Sequence, residues 1–139
     1  MREIKFRAWN FKDKKMFSAE EMTKDQMAIL PDGHFANIDG QNTSRSIIYS
    51  HEQMLPLQFT GLKDKNDKEI YEGDICSAGL KTPLGIVMHR GVIIFNEKAG
   101  QFGLKLETEL ESVSDHVIKN DSPEIIGNIY ENPNLLENI

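Results

Sequence analysis

Cysteine and long apolar runs are scarce in this sequence of 139 residues, which has a single cysteine, Cys76. One cysteine cannot form an intrachain disulfide, so a reducing, cytoplasmic environment is expected. No apolar run approaches the roughly 20 residues that cross a bilayer. The first seven residues alternate charged and apolar side chains instead of forming the apolar core of a signal peptide. We therefore expect no contact with a membrane.

Basic residues are fewer than acidic ones, 16 against 22, and the formal net charge is −6. This balance disfavours a sequence-independent grip on nucleic acid by the surface as a whole. The charge is unevenly spread: residues 1–24 carry a net +3 and residues 107–139 a net −7. Such polarity is typical of solvated faces, and it also suits head-to-tail contact between copies or between the two ends of one chain.

The length and composition indicate one ordinary globular domain, with 39% hydrophobic and 27% charged residues. Within a single domain spanning residues 1–139, we expect a looser N-terminal portion (1–46) and a β-rich portion (47–136). Residues 39–46 are polar without one hydrophobic side chain, which predicts a loop and the best internal boundary.

Short strands separated by turns dominate the pattern. Strands are expected at 4–9, 47–49, 54–60, 69–71, 91–95, 101–106 and 125–130, at intervals typical of a barrel or sandwich. Ser18 and Glu21 have capping-box spacing, which predicts a helix over 19–27. Pro31 to Gly33 predicts the turn of a β-hairpin, and Pro133 predicts the start of one closing helical turn. The predicted fold class is mainly β (α+β), a small barrel-like or sandwich domain with short helical segments.

Four stretches together resemble the YopX-like family of phage and prophage proteins, and they occur in the family's order. They are residues 1–9 (MREIKFRAW), 57–75 (LQFTGLKDKNDKEIYEGDI), 91–95 (GVIIF) and 125–136 (IIGNIYENPNLL). The resemblance implies a phage or prophage origin, a bacterial cytoplasmic location and a largely β fold. It supplies no catalytic residues, and none of the four stretches lies within residues 18–50, so any function of that segment is unassigned.

The family stretches have a physical interpretation of their own. Gly61 predicts a bulge at a strand end, Gly73 a turn with positive φ, and Gly127 a tight bend within a strand. We interpret these residues as determinants of the fold rather than as ligand contacts.

The sequence gives little support for a catalytic site or a metal site. Glu69, Glu72 and Asp74 cluster in turns among lysines, where water keeps carboxylates ionised and unsuited to acid–base work. Cys76 follows an apolar strand residue and is predicted to belong to the core. The four histidines stand far apart at 34, 51, 89 and 116, and no glycine-rich phosphate loop is present. We therefore predict no catalytic residues, no metal and no cofactor.

The first functional hypothesis is a non-enzymatic accessory protein that contacts a host or phage protein, or a second copy of itself. Trp9, Tyr71 and Tyr130 are the candidate interface residues if their rings are exposed, since aromatic side chains often anchor contacts. The alternative interpretation places all three rings in the core.

The second hypothesis is nucleic-acid binding by the basic N-terminal strand, with Trp9 and Phe11 available to stack on bases. Lysines along an edge strand equally protect a sheet against aggregation, and that alternative stays open. The candidate contacts are Arg2, Lys5, Arg7, Lys12, Lys14 and Lys15.

Overall fold

The computed structural model describes residues 3–37, 47–106, 112–113 and 123–136. These ranges hold twelve β-strands, one α-helix and one 3-10 helix, so the predicted mainly β fold class is confirmed. The chain divides into two compact units, an N-terminal unit of residues 4–58 and a C-terminal unit built from 59–139 together with 1–3. The loop and boundary predicted at 39–46 lie outside the described residues.

The N-terminal unit consists of short antiparallel strands around one helix. Strand β1 (Phe6–Asn10) pairs with β2 (Lys15–Phe17) and with the first half of β6 (Met54–Lys63). Strand β4 (Phe35–Asn37) pairs with β3 (Met27–Ile29) on one side and with β5 (Ile47–Ile48) on the other. The predicted hairpin around Pro31 to Gly33 is thus confirmed.

Helix α1 (Ala19–Lys24) begins where the capping box predicts. The Ser18 hydroxyl accepts the Glu21 N–H at 3.1 Å, and the Glu21 carboxylate accepts the Ser18 N–H at 3.5 Å. The helix is shorter than the predicted 19–27, because Gln26 adopts a φ of 57° and Met27 already starts β3.

The core of the N-terminal unit joins the helix to the strands. It contains four buried residues with five partly buried apolar side chains packed against them. The buried four are Ala8, Met22, Phe35 and Met54.

The C-terminal unit is built on a five-stranded antiparallel sheet with the order β11-β10-β9-β8-β12. Its strands are β8 (Asp74–Thr82), β9 (Gly85–Asn96), β10 (Gln101–Leu106), β11 (Ser112–Val113) and β12 (Glu124–Asn128). Strand β7 (Glu69–Tyr71) pairs with the second half of β6, with a register shift around Gly61 where a bulge is predicted. A 3-10 helix (Pro133–Leu136) forms the predicted closing turn.

The core of this unit lies on one face of the five-stranded sheet. It comprises Ile70, Cys76, Ala78, Ile93 and Leu104, with Leu62 and Ile125 packed against it. Cys76 is fully buried, as its position after an apolar strand residue predicts.

The two longest family stretches meet inside the C-terminal unit. Gly73 has a φ of 85°, and a Cβ there would lie 2.9 Å from the Tyr130 ring. Its carbonyl accepts the Ile129 N–H at 2.9 Å, so the turn before β8 is tied to the end of β12. At Gly127 a Cβ would lie 2.6 Å from Asn132 Oδ1. Both glycines therefore permit a close approach that any side chain would block.

A buried carboxylate makes a second link between the same stretches. Asp64 accepts the backbone N–H groups of Asn66 at 2.8 Å, Lys68 at 2.9 Å and Ile125 at 3.0 Å. Burial alone would raise the pKa of Asp64, but these three donors outweigh it and hold the pKa below its ordinary value. Asp64 of this family stretch thus acts in folding, by holding the turn and β12 together.

Candidate functional site

Two of the three aromatic candidates for an interface are buried. The exposed fraction is 6% for Trp9 and 7% for Tyr71, so the condition that their rings be exposed is not met and the core interpretation applies. Tyr71 packs against Phe59 with ring centroids 5.5 Å apart. Tyr130 is half-buried beside Gly73. An interface at Tyr130 stays a prediction.

The predicted nucleic-acid residues do not share one environment. Lys12 and Lys14 are exposed in the turn between β1 and β2, whereas Lys5 and Arg7 are half-buried and Arg2 lies outside the described residues. Lys15 is held by an ion pair of 3.1 Å to Glu21, with its ammonium 4.7 Å from the centre of the Phe17 ring. The freely presented positive charge is therefore at the turn.

The carboxylates and histidines considered for catalysis and metal binding lie in different parts of the structure. The prediction that Asp74 lies in a solvated turn is wrong, because its side chain is buried and accepts the Tyr71 N–H at 2.8 Å. His34 and His51, distant in sequence, stack with ring centroids 4.3 Å apart, and His34 Nδ1 lies 3.0 Å from Asp32 Oδ1. Within the described ranges, no group of three or more His, Cys, Asp or Glu side chains could hold a metal ion. None of the helices described there is long and apolar enough to span a membrane.

The far end of the β8–β9 hairpin exposes large apolar side chains. We call residues 79–88 the hairpin tip; β8 and β9 pair there from Gly79 opposite Met88 to Thr82 opposite Gly85. The exposed fraction is 99% for Leu84, 70% for Ile86 and 63% for Met88. A contiguous exposed apolar surface of this kind marks an interaction site more often than scattered single residues do.

The geometry of the tip explains why this surface is continuous. Gly79 has no side chain, and the Ile86 and Met88 side chains occupy the space above it, where a Cβ would lie 2.9 Å from Ile86 Cγ2 and 3.4 Å from Met88 Sδ. Gly79 therefore lets the two exposed side chains lie flat against the backbone of β8.

The two strands of this hairpin carry few charged residues of their own. Residues 75–96 contain no Asp or Glu, although the chain has 22 acidic residues, and they include Lys81, His89 and Arg90. Arg90 is exposed, and its Nη1 donates to the Leu135 carbonyl at 3.1 Å. The hairpin tip is thus an apolar surface with positive charge nearby in an otherwise acidic chain.

Sequence reasoning missed this surface. Residues 85–88 begin strand β9, and an apolar strand sequence by itself does not reveal which side chains are exposed. A signal was present in the run Ile86 to Met88, directly after the Pro83-Leu84 turn and inside a long stretch without acidic residues.

A cavity of about 420 Å³ opens within the N-terminal unit. Its polar lining comes from the end of β1, the β1–β2 turn, the end of α1 and β4. Its apolar lining comes from β2, α1, β3, residue 49 and β6. The polar residues are Asn10, Asp13, Asp25 and Asn37, and the apolar and aromatic ones are Phe17, Met22, Met27, Tyr49 and Met54.

Comparison with known proteins identifies the family. A family model described as YopX protein matches residues 5–137. This chain belongs to the YopX family. The resemblance carried by the four sequence stretches is thereby confirmed, and the match includes the hairpin tip and the cavity.

Two solved structures share the YopX fold over almost the whole chain. Protein EF1440 from Enterococcus faecalis is 25% identical, with 98% of this chain and 99% of that chain covered and a TM-score of 0.62. Protein yopX from Bacillus subtilis is 16% identical, with 100% and 99% covered and a TM-score of 0.60. The second likeness shows the fold alone. A search of curated proteins finds no significant match.

Proposed function

We propose that this YopX-family protein is a phage- or prophage-encoded accessory protein that works by binding another protein, with the hairpin tip as its contact surface. The observation that carries the proposal is the exposure of Leu84, Ile86 and Met88 on one hairpin. Burying a side chain of this size contributes about 1.5–3 kcal/mol. Three such anchors offset a substantial part of the association cost, which is about 4–15 kcal/mol.

The partner we propose is an acidic segment of a host or phage protein that carries its own apolar side chains. Positive charge at the exposed Arg90, with no acidic residue in the sequence from 75 to 96, is complementary to such a segment. Apolar side chains on the partner would supply the affinity, and its carboxylates would orient it on the hairpin. A second copy of this chain is the competing occupant.

The experiment compares matched surface variants in pull-downs from host cells after phage induction, each divided into nuclease-treated and untreated halves. Ile86→Ser/Met88→Ser changes the hairpin tip, and Ile47→Ser/Ile48→Ser changes an exposed isoleucine pair in the N-terminal unit. We expect a near-stoichiometric protein in both halves with the wild type and the control variant, and its loss with the tip variant. The purified partner should bind with an affinity that falls as salt rises.

Two results would overturn this proposal. The tip variant could retain every partner that the wild type retains, which would remove the hairpin from consideration. Recovery could instead vanish after nuclease treatment, which would favour nucleic acid as the ligand.

Nucleic-acid binding is the second candidate function, favoured by the exposure of Lys12 and Lys14 in one turn. A test is the salt dependence of single-stranded DNA binding in Lys12→Gln/Lys14→Gln, with Lys63→Gln/Lys68→Gln as a control at exposed lysines of the C-terminal unit. If the turn contacts phosphates, the slope of log affinity against log salt should fall by about 1.4, since each phosphate contact in single strands contributes about 0.7. An unchanged slope would exclude this turn.

A further inference from the structure

We propose that the cavity in the N-terminal unit binds a cation on an aliphatic chain, namely a protonated amine or guanidinium group. This inference is independent of the hairpin and of the proposed function. The cavity volume of about 420 Å³ lies in the range of small-molecule sites, which is roughly 300–1,000 Å³. A single extended lysine- or arginine-like group would fit within it.

The apolar lining suits the body of such a ligand. Three of the chain's six methionines, Met22, Met27 and Met54, line the cavity. Met22 and Met54 are buried members of the unit's core, so this part of the lining is anchored. Thioether side chains adapt to the shape of an aliphatic chain, and Phe17 and Tyr49 add aromatic rings to the lining.

The polar lining selects the charge. Asp13 and Asp25 present carboxylates, which only accept hydrogen bonds when ionised, and none of the described lining residues is basic. The Asp13 N–H donates to Asn10 Oδ1 at 3.0 Å, which fixes the turn that carries this carboxylate. A donor-rich cation is complementary to the two aspartates of this lining.

The same region already holds a cation of this kind within the chain. The Lys15 ammonium lies 4.7 Å from the centre of the Phe17 ring and 3.1 Å from Glu21 Oε2. Phe17 is itself part of the cavity lining. Since Lys15 already occupies this ring and is neutralised by Glu21, a bound cation would be held by Asp13 and Asp25 rather than by Phe17.

The shared chemistry has two sources, a free polyamine or an arginine side chain of a protein. The probes are spermidine, N-acetyl-arginine methylamide, a short arginine-containing peptide, and N-acetyl-citrulline methylamide as the neutral analogue of the arginine probe. Binding to the full chain is followed by calorimetry and by amide chemical shifts. A peptide that binds more tightly than spermidine assigns the site to a protein side chain, and the reverse order assigns it to a free polyamine.

The variant Asp13→Asn/Asp25→Asn removes the charge of the polar lining, and Asp67→Asn is the control at an exposed carboxylate of the C-terminal unit. We expect shifts at Phe17, Met27 and Tyr49 with the arginine probe, and binding about tenfold weaker with citrulline and with the double variant, a difference of about 1.4 kcal/mol. Asp67→Asn should bind like the wild type.

The citrulline comparison needs no variant, so the proposal can be tested even if the double variant unfolds. Equal binding of the arginine and citrulline probes would overturn the proposal. So would saturating cation without shifts at the lining residues, or a folded double variant with unchanged affinity.

Discussion

At the scale of single residues, two aspartates of the family stretch 57–75 show how much the role of a carboxylate depends on its burial. Asp64 is buried and serves three N–H donors, one of them in β12 and distant in sequence. Asp67 in the same turn is exposed, and its Oδ1 lies 3.6 Å from Lys63 Nζ in a solvent-exposed ion pair. Two aspartates three residues apart thus differ entirely in what they contribute.

Asp64→Asn should destabilise the protein by about 1–3 kcal/mol, because an amide NH₂ replaces one of two accepting oxygens and leaves a buried donor unpaired. Asp67→Asn should change the free energy of unfolding by less than about 1 kcal/mol, as exposed ion pairs contribute little. Urea unfolding followed by circular dichroism measures both variants. Equal effects would contradict the role assigned to Asp64.

The lowered pKa of Asp64 also sets a pH dependence. A carboxyl whose pKa is lower in the folded than in the unfolded state adds stability that is complete above the unfolded pKa of about 3.9 and is lost as pH falls through the lower folded pKa. The stability of the wild type should therefore fall more steeply in this acid range than that of Asp64→Asn. Parallel pH profiles of the two proteins would contradict this.

At the scale of elements, the start of the helix could be predicted from nearby residues, whereas the burial of strand side chains could not. Ser18 and Glu21 bond to each other across three residues, so the helix start needed no knowledge of the fold. Trp9 and Tyr71 are buried, and each lies opposite a residue of another strand, Leu55 and Phe59, so their own strands do not reveal this burial. Within β9, Ile86 is exposed and Ile93 is buried although both are isoleucines of one strand. Burial depends on what packs over each half, which is non-local.

The packing of the turn before β8 against the end of β12 can be tested by comparing substitutions at two glycines, since both have a positive φ and only one is packed against another side chain. Gly73→Ala combines backbone strain with a Cβ only 2.9 Å from the Tyr130 ring, whereas Gly100→Ala has φ +67° and open space. Each substitution should cost about 1–2 kcal/mol for the backbone, and Gly73→Ala about 1–3 kcal/mol more for overpacking. Thermal unfolding of both variants gives this difference. A Gly73→Ala protein as stable as Gly100→Ala would show that the packing against Tyr130 is not restrictive.

At the scale of the whole molecule, charge and apolar surface make opposite predictions about self-association. The net charge of −6 repels two copies, and this repulsion extends over a Debye length of about 10 Å at 0.1 M salt. The polarity between residues 1–24 and 107–139 favours head-to-tail contacts, which salt would weaken. An apolar contact through the hairpin tip would instead strengthen as salt screens the net charge.

Because we assign the hairpin tip to a different protein, we expect the purified chain to sediment as a monomer at micromolar concentration in both low and high salt. Sedimentation velocity of the wild type and of Ile86→Ser/Met88→Ser, each at two salt concentrations, tests this. A dimer that appears in high salt and is lost in the variant would show that the hairpin tip binds a second copy of the chain and not a different protein. A dimer that appears only in low salt and persists in the variant would place self-association on the charged ends, and the hairpin tip would remain available for another protein.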